Sequence, residues 1–288
     1  MPTVIYDKED FIIRSDSVSL FKSLRLGYIT KCFENSFNVY ADNWLLNFNT
    51  NAEYIHPLSV LIPQNVMQNI REGMNLKFYY PFLNINNMTK RISPLLDIKK
   101  HLISIDTKYF RLNVSQLEKA LKLFAQRSMV TVSLLDNKKN DFSTVLESVI
   151  ESLREAYSEG TEFIVDDYIY WFGGGEGLTP AWDDFFCGMI LMDRGLNRNI
   201  IQISDAGMET LKDRTTSVSY WQIYLALQGK SSIILETMMT RLLQVPLNIS
   251  DIVKCFKLGA TSGADILSGV YTYSNIAMNY LTFDNISN

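Results

Sequence analysis

The hydrophobic and polar positions of the chain change period once, near residue 113. Before it, short runs of strand formers lie between turn residues. Phe37-Asn38-Val39-Tyr40 and Trp44-Leu45-Leu46-Asn47-Phe48 flank Asp42-Asn43, a dipeptide suited to a tight turn. Further strands are predicted at residues 27–33, 58–62, 76–80 and 101–105, punctuated by Pro57, Pro63 and Pro81. Short strands at this spacing predict a β-rich unit over residues 1–112, a small barrel or sandwich.

After residue 113 the apolar residues recur at helical spacing. Ser115-Gln116-Leu117-Glu118 has the form of a capping box, behind which Leu117, Ala120, Leu121 and Phe124 fall on one face. Residues 142–157 repeat the pattern with Val145, Leu146, Val149, Ile150 and Leu153. Residues 130–135 read as a strand or as a helix continuation, and 136–141 as a polar loop. Helices are predicted at 180–194, 217–228, 231–244, 250–258 and 262–280. The expected fold is α+β, with a β-rich N-terminal barrel or sandwich followed by a mainly helical domain over 113–288.

Composition narrows the function classes. The chain has 288 residues, 47% hydrophobic and 20% charged, enough for a substantial core. Lys and Arg total 27 against 31 Asp and Glu, so there is no basic field to attract a polyanion, and nucleic acid is not an expected partner. No apolar run approaches the roughly 20 residues needed to span a bilayer, so no membrane partner is expected. Residues 1–11 carry Asp7, Glu9 and Asp10 rather than a basic flank and an apolar core, and a cytoplasmic protein is expected. Cys32, Cys187 and Cys255 are scattered, and His56 and His101 are the only histidines, which argues against a disulfide framework and a Cys- or His-rich metal site. Cys187, among Phe185, Phe186 and Met189, reads as buried and inert. Sequons at Asn87, Asn113, Asn248 and Asn285 read as coincidence in an Asn-rich chain.

The candidate chemistry lies in Gly173-Gly174-Gly175-Glu176-Gly177-Leu178-Thr179-Pro180-Ala181-Trp182-Asp183-Asp184. Glycines at this density suit positive φ or close approach. Thr179 followed by Pro180 has the form of an N-cap and first helical residue, so the loop is expected to deliver free N–H groups to a helix start, where anions bind. Asp183 and Asp184 are either simple helix-start charges or candidate functional carboxylates, one of them for Mg²⁺ or an amide substrate; no cofactor is called for with certainty. Gly259-Ala260-Thr261-Ser262-Gly263-Ala264-Asp265 repeats the pattern G-x-T-x-x-x-D, so Asp265 is expected to correspond to Asp183, and the two helix starts to face one pocket. Thr216 and Ser217, in the cluster before the helix at 217–228, are candidates to supply hydroxyls.

In these two motifs, G-x-G-L-T-P-x-x-D-D and G-x-T-S-G-A-D-x-L-x-G, the sequence resembles a bacterial domain-of-unknown-function family that includes the H subunit of oxamate carbamoyltransferase from anaerobic allantoin degradation. Gly27-Tyr28-Ile29, the Pro-containing middle strands and the helix before Gly229 fit the same family order. The resemblance implies a cytoplasmic transferase subunit acting with two partner proteins on oxalurate, phosphate, carbamoyl phosphate and oxamate. In that reading Asp183, Asp184 and Asp265 are the catalytic candidates. Gly173, Gly174, Gly175, Gly177, Thr179, Thr216, Ser217, Thr261, Ser262 and Gly263 would hold a small anionic substrate. The chain departs from the family pattern at Trp182, where Gly is usual, and at Ala260, where His is frequent. These departures motivate the alternative, a non-catalytic scaffold or interaction subunit with a decayed site.

Overall fold

The computed structural model describes residues 10–95, 105–136, 139–140, 142–175 and 177–280. The chain divides into two compact units, Met1–His101 and Leu102–Asn288.

In the first unit eight strands close into a barrel in the order β1-β5-β4-β3-β2-β6-β7-β8. They are β1 (Phe11–Arg14), β2 (Leu26–Cys32), β3 (Ser36–Ala41), β4 (Trp44–Asn49), β5 (Ser59–Leu61), β6 (Asn75–Tyr79), β7 (Phe82–Ile85) and β8 (Met88–Leu95), with a short helix α1 (Val18–Ser23) after β1. Pairing is antiparallel except for β1 with β8 and β4 with β5. Alternation turns apolar residues inward: in β6, Leu76 and Phe78 are buried while Asn75, Lys77 and Tyr79 are exposed. The β3–β4 turn places Asp42 and Asn43 at φ +44° and +75°, as a two-residue hairpin matched to strand twist requires. Inside, Phe37 stacks on Phe48 with centroids 4.7 Å apart.

The strands expected at 27–33, 37–40, 44–48, 58–62 and 76–80 correspond to β2–β6. Three strands escaped the sequence reading. β1 and β7 are four residues long, too short to show a period, and β8 carries Lys90, Arg91 and Pro94, types depleted in strands. Of the strand expected at 101–105, residues 101–104 lie outside the described residues and Ile105 is in no strand.

The second unit contains α2 (Thr107–Phe124), α3 (Met129–Asp136), α4 (Ser143–Glu159), α5 (Ala181–Gly195), α6 (Asp205–Arg214), α7 (Ser217–Leu227), α8 (Ile233–Gln244), α9 (Ile249–Cys255) and α10 (Ser262–Met278). Two short parallel strands, β9 (Phe163–Ile164) and β10 (Ile201–Gln202), complete it. The first of these helices starts before the expected capping box. Asp106 accepts the Tyr109 N–H at 3.0 Å, and α2 runs through Ser115 because Phe110, Val114, Leu117 and Leu121 extend its buried face in both directions. Residues 130–135 are helical, within α3. Helix α6 was not foreseen because Leu211 is its one buried side chain larger than glycine; Ser204 caps it by accepting the Gly207 N–H at 2.9 Å. Asn113 is fully buried and holds the end of α8, donating to the Val245 carbonyl at 2.7 Å and accepting the Leu247 N–H at 2.8 Å.

Helices α5 and α10 form the centre of this unit and are buried along most of their length. They cross at glycines. A Cβ on Gly188 would fall on the Ile266 carbonyl oxygen, and one on Gly269 would fall on the Phe185 carbonyl oxygen. Each carbonyl lies three residues before the glycine of its own helix, so the contact is reciprocal. Farther along, Asp193 in α5 accepts the Tyr273 hydroxyl of α10 at 2.6 Å and the Ile200 and Ile201 N–H groups at 3.1 Å each. The crossing predicts that Gly188→Ala or Gly269→Ala pushes the helices apart and lowers stability by about 1–3 kcal/mol or more. Denaturant unfolding measures this, and variants as stable as the parent would contradict the crossing.

Candidate functional site

The glycine loop follows a 3₁₀ segment (Val165–Trp171) and leads into α5. Gly173 has φ +80°, and a Cβ there would fall on the Arg214 carbonyl oxygen; Gly175 has φ +121°, and a Cβ there would lie 2.7 Å from the Ala181 nitrogen. Both conformation and space therefore demand glycine. The first two glycine amides of the loop turn inward rather than standing free. The Gly173 N–H donates to Asp183 Oδ1 at 2.8 Å, and the Gly174 N–H donates to the Trp171 carbonyl at 3.1 Å.

Asp183 is the anchor of this loop. It is 1% exposed, and its second oxygen accepts the Thr215 hydroxyl. Burial raises its carboxyl, while the Thr215 hydroxyl, the Gly173 amide and the Ser219 hydroxyl pull it back down. Thr216 fastens the other side: it accepts the Ser219 N–H at 3.1 Å as the cap of α7, and its hydroxyl donates to the Leu178 carbonyl. Ser217 is exposed at the start of α7.

Thr179 does not cap α5. Pro180 takes the N-cap position with an extended backbone, φ −53° and ψ 142°, so the helix begins at Ala181. The Thr179 hydroxyl is left to meet the Ser262 hydroxyl at the start of α10, 2.6 Å away. Thr261 is the N-cap of α10 but makes no capping bond with its side chain. The two motifs therefore meet, through a hydroxyl pair, where α5 and α10 begin.

The crossing also shifts the register expected from the sequence repeat. Asp184 and Asp265 each stand four residues before a crossing glycine, Gly188 and Gly269, so the helices match Asp265 with Asp184 rather than with Asp183. Both are buried, at 1% and 0% exposure. Asp265 accepts the Ser128 hydroxyl on Oδ1, while its Oδ2 has no partner among the described residues. Neither Asp184 oxygen has a hydrogen-bond partner among the described residues. The Thr179 and Ser262 hydroxyls are close enough to bias it, but they bond to one another.

Burial dominates the electrostatics of the pair. It pushes the Asp184 carboxyl well above the usual carboxylate range; the Ser262 and Thr179 hydroxyls draw it down, and the Asp265 and Asp183 charges push it further up. Asp265 is raised by burial to about 6, against the pull of the Ser128 and Thr261 hydroxyls. Cys187, 4% exposed, has its thiol driven upward by burial and then by the Asp184 and Asp183 charges, which keeps it an unreactive thiol. His56 is held neutral by burial, at about 4, and its Nδ1 accepts the Leu58 N–H.

Trp182, where the resemblance leads one to expect glycine, is fully buried and stacks on Phe142 at 5.9 Å, with Phe186 at 5.3 Å. Ala260 is placed differently. Together with Arg127, Ser128, Thr261 and Ala264 it lines a cavity of about 250 Å³ that neither Trp182 nor any glycine-loop residue enters. Ser128 was missed by the sequence reading. Its signal was present, since it accepts the Thr131 N–H at 2.9 Å as a cap would, but it required residues 129–136 to be recognised as a helix. Among the described residues, no group of three or more His, Cys, Asp or Glu side chains is arranged to hold a metal ion.

The three carboxyls predict an unusual pH dependence. Asp265 has a folded-state value of about 6 against an ordinary 3.8. Its contribution to stability is thus complete below about 4 and is lost as pH rises through about 6. The loss is on the order of 3 kcal/mol, and Asp183 and Asp184 shift in the same direction. The unfolding free energy should fall across this interval, and the fall should be shallower in Asp265→Asn. Equal slopes in parent and variant would contradict the assignment.

Residues 171–274 match the family model described as oxamate carbamoyltransferase subunit AllH. No curated protein and no solved structure matches the chain. The matched segment runs from the residue before Phe172, at the entrance to the glycine loop, into α10, and so contains both motifs and the glycine crossing. That segment is 104 of the chain's 288 residues, and its match supports membership of the family of the oxamate carbamoyltransferase subunit AllH.

Proposed function

We propose that the chain is a subunit of a carbamoyltransferase-type enzyme that holds a small anionic substrate where α5 and α10 begin. The family name describes a subunit, which supports partner proteins in the working enzyme. The observation that carries the substrate reading is the Thr179–Ser262 contact beside Asp184, a buried carboxyl with neither oxygen bonded.

The chemistry follows from three features. Two helix starts favour negative charge through their dipoles. Thr179 and Ser262 offer hydroxyls that can re-aim from each other toward a ligand oxygen. A carboxyl held in its neutral form by burial donates a hydrogen bond to an anion, whereas a carboxylate would repel it. Asp183 acts one step back, fixing Gly173 and with it the path of the loop. In this reading the chain binds and orients, the partner subunits complete the reaction, and no step is routed through Mg²⁺. The decayed-site alternative rested on Trp182 and Ala260. Burial of the Trp182 indole among aromatic rings leaves the hydroxyl pair unobstructed by it and removes half of that motive.

A thermal-shift panel with phosphate, carbamoyl phosphate and oxamate, each with and without Mg²⁺, tests the proposal. A ligand at 100 times its dissociation constant should stabilise the folded chain by about 2.7 kcal/mol. Asp184→Ala should still fold, because it removes an unpaired buried acid, and should lose the response, because it removes the donor that an amide side chain would retain. Asp183→Asn should instead lower stability without ligand by about 1–3 kcal/mol, since it breaks the bonds to Gly173 or Thr215. A folded Asp184→Ala variant that responds like the parent, or a parent that responds to none of the anions, would overturn the reading.

A further inference from the structure

We infer that the cavity between the end of α2 and the start of α10 is a second small-molecule site, and that it takes an organic carboxylate with an apolar body and an O–H or N–H donor. The inference does not rest on the carbamoyltransferase reading, because Thr179, Asp184, Ser262 and the glycine loop are absent from the cavity lining.

Three kinds of wall define the ligand. The first is apolar. Leu123 and Phe124 are 64% and 54% exposed, and the Phe124 ring meets Phe256 with centroids 6.1 Å apart. The part of these side chains that faces the cavity gains free energy when a ligand body covers it. The second wall is cationic. Arg127 lines the cavity and makes no ion pair among the described residues, which leaves its guanidinium free to hold a carboxylate.

The third wall sets the polarity of the remaining ligand group. Ser128 is 1% exposed and lines the cavity. Its single proton is given to Asp265, and one of its two lone pairs accepts the Thr131 N–H at 2.9 Å. A hydroxyl with its proton committed inward can only accept from a ligand. The complementary group is therefore a donor, set apart from the carboxylate that faces Arg127. Behind this wall Asp265 Oδ2 is buried and has no bonded partner among the described residues, while Oδ1 holds the Ser128 proton.

Mandelate and phenylacetate are matched probes: both carry a ring and a carboxylate, and only mandelate has the hydroxyl donor. Calorimetric titration of the full chain should show mandelate binding about fivefold tighter than phenylacetate, the ratio expected of one neutral hydrogen bond. Arg127→Gln, at an exposed position, should weaken both ligands alike by about tenfold or more. Ser128→Ala should erase the preference for mandelate. No binding of either probe, or binding unchanged in Arg127→Gln, overturns the site even if Ser128→Ala does not fold. A folded Ser128→Ala that keeps the preference overturns the donor assignment. Failure of the phosphate and oxamate panel does not bear on this site.

Discussion

Backbone-to-backbone contact between α5 and α10 governs the rest of the second unit. A glycine on each helix lies against a carbonyl of the other, so the two backbones approach closer than any side chain at those positions would allow. Nothing polar can then be accommodated beside the crossing without becoming buried. One turn before each glycine the sequence nevertheless places an aspartate, Asp184 on α5 and Asp265 on α10. Two acids are thus carried into the interior by the same contact that builds the core. Of their four oxygens, only Asp265 Oδ1 has a bonded partner among the described residues.

Three carboxyls close together in the fold acquire different tasks from their surroundings alone. Asp183 has donors on both oxygens and serves the loop. Asp265 has a donor on one oxygen and orients Ser128. Asp184 has none among the described residues, and of the three it has the greatest unmet need for a partner. Leaving a buried polar group unsatisfied is costly, and such exceptions concentrate where a ligand or a proton completes the arrangement. The adjacent Thr179–Ser262 pair gives this place a second adaptable element.

Much of this was legible in the sequence, and the failures have physical reasons. Short runs of strand formers between turn residues exposed β2–β6, while β8 hid behind Lys90, Arg91 and Pro94. The barrel and the helical remainder could be read; the start of α2 could not, since Asp106 precedes the first helical residues without the Glu or Gln of a capping box. The meeting of the two glycine motifs was visible as the repeat G-x-T-x-x-x-D. The pairing of Asp183 with Asp265 in that repeat misled by one residue. Helix register is set by where backbones touch, and Gly188 and Gly269 lie nine residues from Thr179 and eight from Thr261. Ser128 reaches Asp265 across 137 positions of sequence, beyond the range of any local pattern.

The account rests on Asp184 being neutral in the folded chain near neutral pH, because the crossing buries it beside Asp265 without a bonded donor. Infrared spectroscopy of the protein in that pH range reads this directly, through the carbonyl band that protonated carboxyls show and carboxylates lack. The account predicts such a band in the parent and its disappearance in folded Asp184→Asn. A parent that shows only carboxylate bands, or an Asp184→Asn variant that keeps the protonated band unchanged, would contradict it.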